Sequence, residues 1–245
     1  MGLSEVTGKG LVIASTADIH SPKYLEDLKT AVKRVKDRPK LVLLAGDLIN
    51  KGKIEWYGPT IEVISQLRAE KIIAIFGNEE YDEIHDRLRE EFGDLVIFLD
   101  DESISLDIDG TSVGIVGTRG SLEKPTTWQE RNVPGISDVY ESRIKKVEGL
   151  LRGLNTDLKV LVMHYAPTFK TLFGEYRRIW PHLGHRGYEK VIEVTRPDLV
   201  LHAHAHNGSK KASVGNVEVL NVSFPVWKEI VFVRLVKRAS LDEYF

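Results

Sequence analysis

The chain has 245 residues, 42% hydrophobic and 29% charged, with a formal net charge of -2. That is enough apolar material for one domain of the larger sort, and the near-neutral balance argues against a protein-wide basic field for nucleic acid, leaving only a local patch open. The absence of cysteine excludes disulfides, thiolate metal sites and cysteine nucleophiles, so any metal must be held by His, Asp, Glu or Asn.

In chain order, short continuous apolar runs at 11–15, 41–45 and 72–76 read as strands covered on both faces, because none alternates with polar residues. Residues 24–36 carry Leu25, Leu28, Ala31, Val32 and Val35 near a 3.6 period, with Pro22 ahead and Pro39 beyond, and predict a helix. Residues 60–69 repeat the pattern with Ile61, Ile64 and Leu67. This alternation implies right-handed βαβ units. A charged helical stretch follows, in which His85 reads as a surface residue. Runs at 103–108 and 111–116 are joined by Asp109-Gly110, a hairpin signal. Residues 117–136 read as a loop, 139–154 as an amphipathic helix, 160–163 and 199–201 as buried strands, and 217–222 and 229–236 as further strands. No repeat or linker is evident, so one domain over 1–245 is expected. No basic-then-apolar leader opens the chain and no apolar run nears the roughly 20 residues of a membrane span, which points to a cytoplasmic protein away from membranes. The tail, 235–245, ends in Tyr244-Phe245 and would dock on a partner subunit or on its own core, leaving a homo-oligomer open.

The informative feature is what ends each buried run. Asp18-Ile19-His20 follows the first, Gly46-Asp47 the second and Gly77-Asn78 the third, while His164 and then His204-Ala205-His206 follow the last two. Ligands of open α/β sheets collect beyond the carboxyl ends of parallel strands. Singly, a His after a strand is an ordinary packed or surface residue, and Asp or Asn an ordinary turn residue. Five buried runs that each end in a metal-type side chain form a pattern that random placement does not readily give. Imidazole and carboxylate suit manganese, iron, nickel, cobalt or zinc, and the donor set does not choose among them. His202 lies inside its run and reads as a packed or supporting residue.

The set resembles the calcineurin-like metallophosphoesterases, whose motifs are D-x-H, G-D-x-x-[D/N], G-N-H-[E/D], a later single H, and G-H-x-H. Here they stand, in the family's order, as Asp18-Ile19-His20, Gly46-Asp47-Leu48-Ile49-Asn50, Gly77-Asn78-Glu79-Glu80, His164 and Ala203-His204-Ala205-His206. The resemblance implies an α/β fold, a four-layer α/β/β/α sandwich of two mixed sheets flanked by helices. It implies two divalent metal ions, one on Asp18, His20 and His206, the other on Asn78, His164 and His204, with Asp47 between them. It implies catalysis centred on Asp47, Asn78, residue 79 and His164, with a metal-bridging hydroxide attacking phosphorus. Ala203 replaces the usual Gly, a small-for-small exchange. Glu79 replaces the His that normally contacts the phosphoryl group and helps protonate the leaving oxygen. Three explanations are open. The leaving group needs no acid, Glu79 is itself the acid, or His182 or His185 takes that role.

Between His164 and His204 the chain is rich in aromatics and cations, including Arg177, Arg178, His182 and His185, and the 117–136 stretch adds Arg119. Such a mixture suits a nucleotide or sugar phosphate, and equally a loop packed on the core with solvated cations. The leading function is hydrolysis of a small phosphodiester, pyrophosphate or phosphomonoester, nucleotide-like. A DNA nuclease of the same superfamily and a non-catalytic scaffold on the same fold are the alternatives.

Overall fold

The structure, a computed structural model, describes residues 10–237; the expectation for Tyr244-Phe245 lies outside them. The first half alternates as predicted through β1 (Leu11–Thr16), α1 (Leu25–Arg34), β2 (Leu41–Leu44), α2 (Tyr57–Ser65, which starts and ends earlier than the expected 60–69), β3 (Lys71–Ile75) and α3 (His85–Phe92), and a further strand, β4 (Ile97–Leu99), follows that the sequence did not announce. The hairpin follows as β5 (Glu102–Ile108) and β6 (Thr111–Thr118). Then come α4 (Thr127–Asn132), α5 (Ile136–Gly153), β7 (Leu158–Met163), α6 (Gly187–Thr195), β8 (Leu199–His202), β9 (Lys211–Val214), β10 (Val217–Asn221), α7 (Phe224–Trp227) and β11 (Val231–Leu235). No helix among the described residues is long and apolar enough to cross a membrane.

The strands form two mixed sheets, ordered β11-β1-β2-β3-β4 and β5-β6-β7-β8-β10-β9. β1 to β4 are parallel with antiparallel β11 at the edge, and β6, β7, β8 and β10 are parallel between antiparallel β5 and β9. The apolar runs are continuous because each strand is covered twice. Leu41 and Leu43 of β2 enter the core between the sheets, while Val42 and Leu44 pack under α1 and α2. Val160 and Val162 of β7 likewise face the first sheet, while Leu161 and Met163 face α5 and α6. The result is the expected four layers of helix, sheet, sheet and helix. Gly117 lets the sheets approach: a Cβ there would stand 2.4 Å from the Leu99 Cβ.

Two readings are corrected. The 117–136 stretch is not all loop, since β6 runs to Thr118 and α4 opens on a capping box of Thr126 and Gln129. His85 is not on the surface. It is buried, stacked on Phe76 with centroids 3.6 Å apart, and its Nε2 lies 2.9 Å from the Glu80 carbonyl.

Candidate metal centre

The five expected strand ends belong to different sheets, yet they converge, because both sheets present their carboxyl ends at one edge of the sandwich. Register pairs Thr16 with Leu44 and Leu44 with Ala74, so the first three turns start level. Across the sandwich, His164 Nδ1 lies 2.9 Å from the Ala45 carbonyl. The turns are tied by backbone bonds, Asp18 N to Gly46 O at 3.0 Å and His20 N to Asp47 O at 3.0 Å. Four of the expected ligands sit in left-handed backbone: Asp18 (φ 56°), His20 (45°), Asp47 (52°) and His204 (68°). Such conformations cost about 1 kcal/mol or more per side-chain-bearing residue and persist where surrounding structure enforces them, as at functional sites.

Two groups of ligand atoms result. In one, atoms of Asp18, His20 and His206 lie within 4.8 Å of one another, and in the other those of Asp47, His164 and His204 do. Asn78 Oδ1 stands 3.0 Å from His164 Nε2 and joins the second group. Asp47 Oδ2 reaches both, 3.9 Å from His20 Nε2 and 3.4 Å from His164 Nε2. Gly77 makes that placement possible, since a Cβ there would collide with the Asp47 carboxylate.

The surroundings orient these groups. Asp18 Oδ2 accepts from the Ser223 hydroxyl and from His204 N, while its Oδ1 is buried without a hydrogen-bond partner. An orphaned buried carboxylate oxygen is costly, and a cation would satisfy it. The donor set is nitrogen and oxygen only, so the residues fit divalent ions. Burial pushes His204 down to about 3 and lowers His20, keeping both imidazoles neutral as ligands require. Burial also opposes the charged forms of His164 and His206, but Asp47 lifts His164 to about 9 and Asp18 raises His206. Burial would raise both carboxyls as well. The net shift is downward, driven for Asp18 chiefly by His206 and for Asp47 chiefly by His164.

The adjacent glutamates diverge. Glu80 is buried and accepts four amides, from Asp47 (2.7 Å), Leu48 (2.7 Å), Ile49 (3.2 Å) and Gly77 (2.8 Å). Burial, then the Asp47 charge, push its carboxyl up to about 7 against the pull of those amides. The Glu79 carboxylate accepts from the Lys51 amide at 2.6 Å, and its own N–H donates to Asp47 Oδ1 at 2.8 Å. Sequence reasoning gave Glu80 and Ser223 no role. Glu80 carries a faint signal as the acid that closes its motif, Ser223 none.

The expected substrate residues scatter more. Arg119 lies between the segments that follow Asn78 and His164, with Nη2 on Asp82 at 2.6 Å and near His85 at 3.2 Å, and its Nε is buried and unpartnered. Arg177 stacks over Trp180 at 5.6 Å, and Arg178 is exposed beside it on a 3-10 turn, Arg177–His182. His182 Nδ1 is 2.8 Å from the Lys124 carbonyl, and His185 Nε2 is 3.6 Å from Glu141. His202 is buried as expected, pushed down to about 4 by burial, with Nδ1 on the Ala203 carbonyl. Ala203 is fully buried between the sheets, where a small residue fits.

No curated protein matches the sequence closely enough to count as a relative. Among solved structures, the phosphopantetheinyl hydrolase of Mycobacterium tuberculosis is similar at TM-score 0.64 and 14% identity, over 88% of this chain and 90% of that one. A dimetal phosphatase of Danio rerio follows at 0.62 and 11%, over 94% of each chain. The NAD nucleotidase of Haemophilus influenzae gives 0.50 and 14%, over 86% of this chain and 50% of its own. At these identities the likeness speaks for the fold. The sequence itself matches the family profile described as calcineurin-like phosphoesterase over residues 11–208. A match over so much of the length, on a sandwich whose carboxyl edge carries the motifs, decides the family: the chain belongs to the calcineurin-like phosphoesterases, hydrolases that act on phosphoester bonds.

Proposed function

We propose that the protein hydrolyses a small, nucleotide-like phosphorylated molecule at a centre of two divalent ions, of which Asp18, His20 and His206 hold one, Asn78, His164 and His204 the other, and Asp47 touches both. The observation that carries this reading is the reach of Asp47 Oδ2 toward both groups, 3.9 Å to His20 and 3.4 Å to His164. When bound, such a pair of ions lowers the pKa of water and neutralises charge that builds on phosphoryl oxygens. The chain's own residues set the ligands. The Ala45 carbonyl fixes the His164 ring so that Nε2 faces Asp47 and Asn78, and Ser223 and the His204 amide hold Asp18. The structural neighbours named as a phosphopantetheinyl hydrolase, a dimetal phosphatase and a NAD nucleotidase support a small phosphorylated substrate. So do the exposed Phe173 and Tyr176 beside Arg177 and Arg178. Nitrophenyl phosphate and bis-nitrophenyl phosphate, assayed after chelation and refilling with manganese, nickel, cobalt or zinc, test it. Metal-dependent turnover is expected. No turnover and no bound metal would return the scaffold reading.

Glu79 has a separate test. With its carboxylate on the Lys51 amide, it is not arranged to protonate a leaving group. Glu79→Ala is therefore expected to keep kcat/KM within about threefold even on an alkyl phosphate with a poor leaving group, where a lost general acid costs about a hundredfold or more. Glu79→His is expected to gain on substrates with poor leaving groups. A loss of about a hundredfold by Glu79→Ala confined to poor leaving groups would make Glu79 the general acid after all.

A further inference from the structure

Three lysines stand on the segments that position the Asp18, His20 and His206 group, and no carboxylate among the described residues pairs with them. Lys23 follows His20, and its amide donates to the His20 carbonyl at 2.9 Å. Lys210 ends the turn that carries His206. Its carbonyl accepts from Asn221, whose side chain donates to Ala205 O at 2.8 Å. Lys228 caps α7, the helix entered through Ser223, whose hydroxyl holds Asp18. Each of the three segments thus fixes one member of the same ligand group and supplies one lysine.

All three side chains are exposed, and aromatic rings hold them. The ammonium groups of Lys23 and Lys228 lie 4.7 and 4.2 Å from the centre of one ring, Tyr24, and that of Lys210 lies 4.3 Å from Trp227. Among the described residues none of the three forms an ion pair, unlike Lys29, Lys40 and Lys211. A ring attracts a cation without neutralising it, so the charge stays available. Two ammonium groups on one ring also repel, and an anion between them would relieve that repulsion.

Resting on the phosphoesterase reading, we propose that this strip is a subsite for phosphate groups beyond the one attacked, so that the substrate is a phosphate chain, either free or carried on a nucleoside. Hydrolysis of such a chain consumes one water. The water oxygen forms the new P–O bond, the bridging P–O bond breaks, and the departing phosphate keeps the electron pair while the protons pass to the products and solvent. A departing phosphate is a weak base that needs no proton, which agrees with the commitment of Glu79 to Lys51.

The test is calorimetric binding of inorganic tripolyphosphate, adenosine triphosphate and orthophosphate to metal-stripped protein at low ionic strength. The triphosphates are expected to bind more tightly than orthophosphate, and K23Q/K210Q/K228Q to weaken both by roughly tenfold through lost exposed ion pairs. Equal affinity for the two triphosphates would assign the free chain, and tighter adenosine triphosphate the nucleoside-bound one. The triple variant is expected to melt as wild type does, since the substituted side chains are exposed. A control, K145Q/K146Q/K190Q, removes as much charge elsewhere and should change nothing. Unchanged binding in the first variant, or an equal loss in the control, would overturn the subsite. Nitrophenyl turnover by metal-loaded wild type is measured alongside: its failure strikes the phosphoesterase reading, while turnover with unaffected triphosphate binding strikes only the strip.

Discussion

Asp47→Asn is expected to lower kcat/KM for bis-nitrophenyl phosphate by roughly a thousandfold or more, about 4 kcal/mol of transition-state stabilisation. The change is nearly isosteric, so the fold should survive and the loss can be assigned to the site. Asp47 Oδ1 accepts the Glu79 amide at 2.8 Å, which holds an asparagine oxygen in that position. Its NH2 must then take the place of Oδ2, facing His20 and His164 Nε2. A donor would stand where both candidate ions need an anionic oxygen. Bound metal per chain, read by atomic emission, should fall in step. Activity within tenfold of wild type would remove Asp47 from the centre of the proposal.

Above the pH of about 7 to which its carboxyl is pushed, where Glu80 is ionised, Glu80→Gln is expected to cost roughly 3 kcal/mol of stability and to lower the melting temperature by roughly 6–12 °C. An amide has one acceptor oxygen where the carboxylate has two. Whichever way the glutamine turns, its NH2 opposes a pair of backbone donors, Asp47 and Gly77 or Leu48 and Ile49. Those amides belong to the turns that follow β2 and β3, so the variant unpins the turn of Asp47 from that of Asn78. Thermal unfolding followed by circular dichroism reads the effect, and an unchanged midpoint would mean the four amides find other partners.

Much of this was legible in the sequence, for a physical reason. β1, β2, β3, β7 and β8 are covered on both faces, so they stand out as unbroken apolar runs, and the chemistry sits where each run stops. What was hidden lacked that contrast. β4 is three residues long, and β9 is an edge strand whose Lys211 and Ser213 face solvent. His85 sits in a stretch dense with charge, yet its side chain turns inward onto Phe76. Glu80 lies in the run Glu79-Glu80-Tyr81-Asp82-Glu83, where composition suggests solvent and only the folded turns reveal its four amides. Lys23, Lys210 and Lys228 are scattered along the chain, and only the fold ties their segments to one ligand group.

His20 and His206, 3.3 Å apart, are separated by 186 positions, and Asp47 meets His164 from the opposite sheet. Under the proposed assignment, ions held there would join residues 186 positions apart in a chain of 245, a site that the unfolded chain does not preform. A cysteine-free protein would thereby acquire the equivalent of a removable staple, stitching the two sheets together at an edge where four of the expected ligands sit in left-handed backbone and adding to stability by mass action as the ions bind.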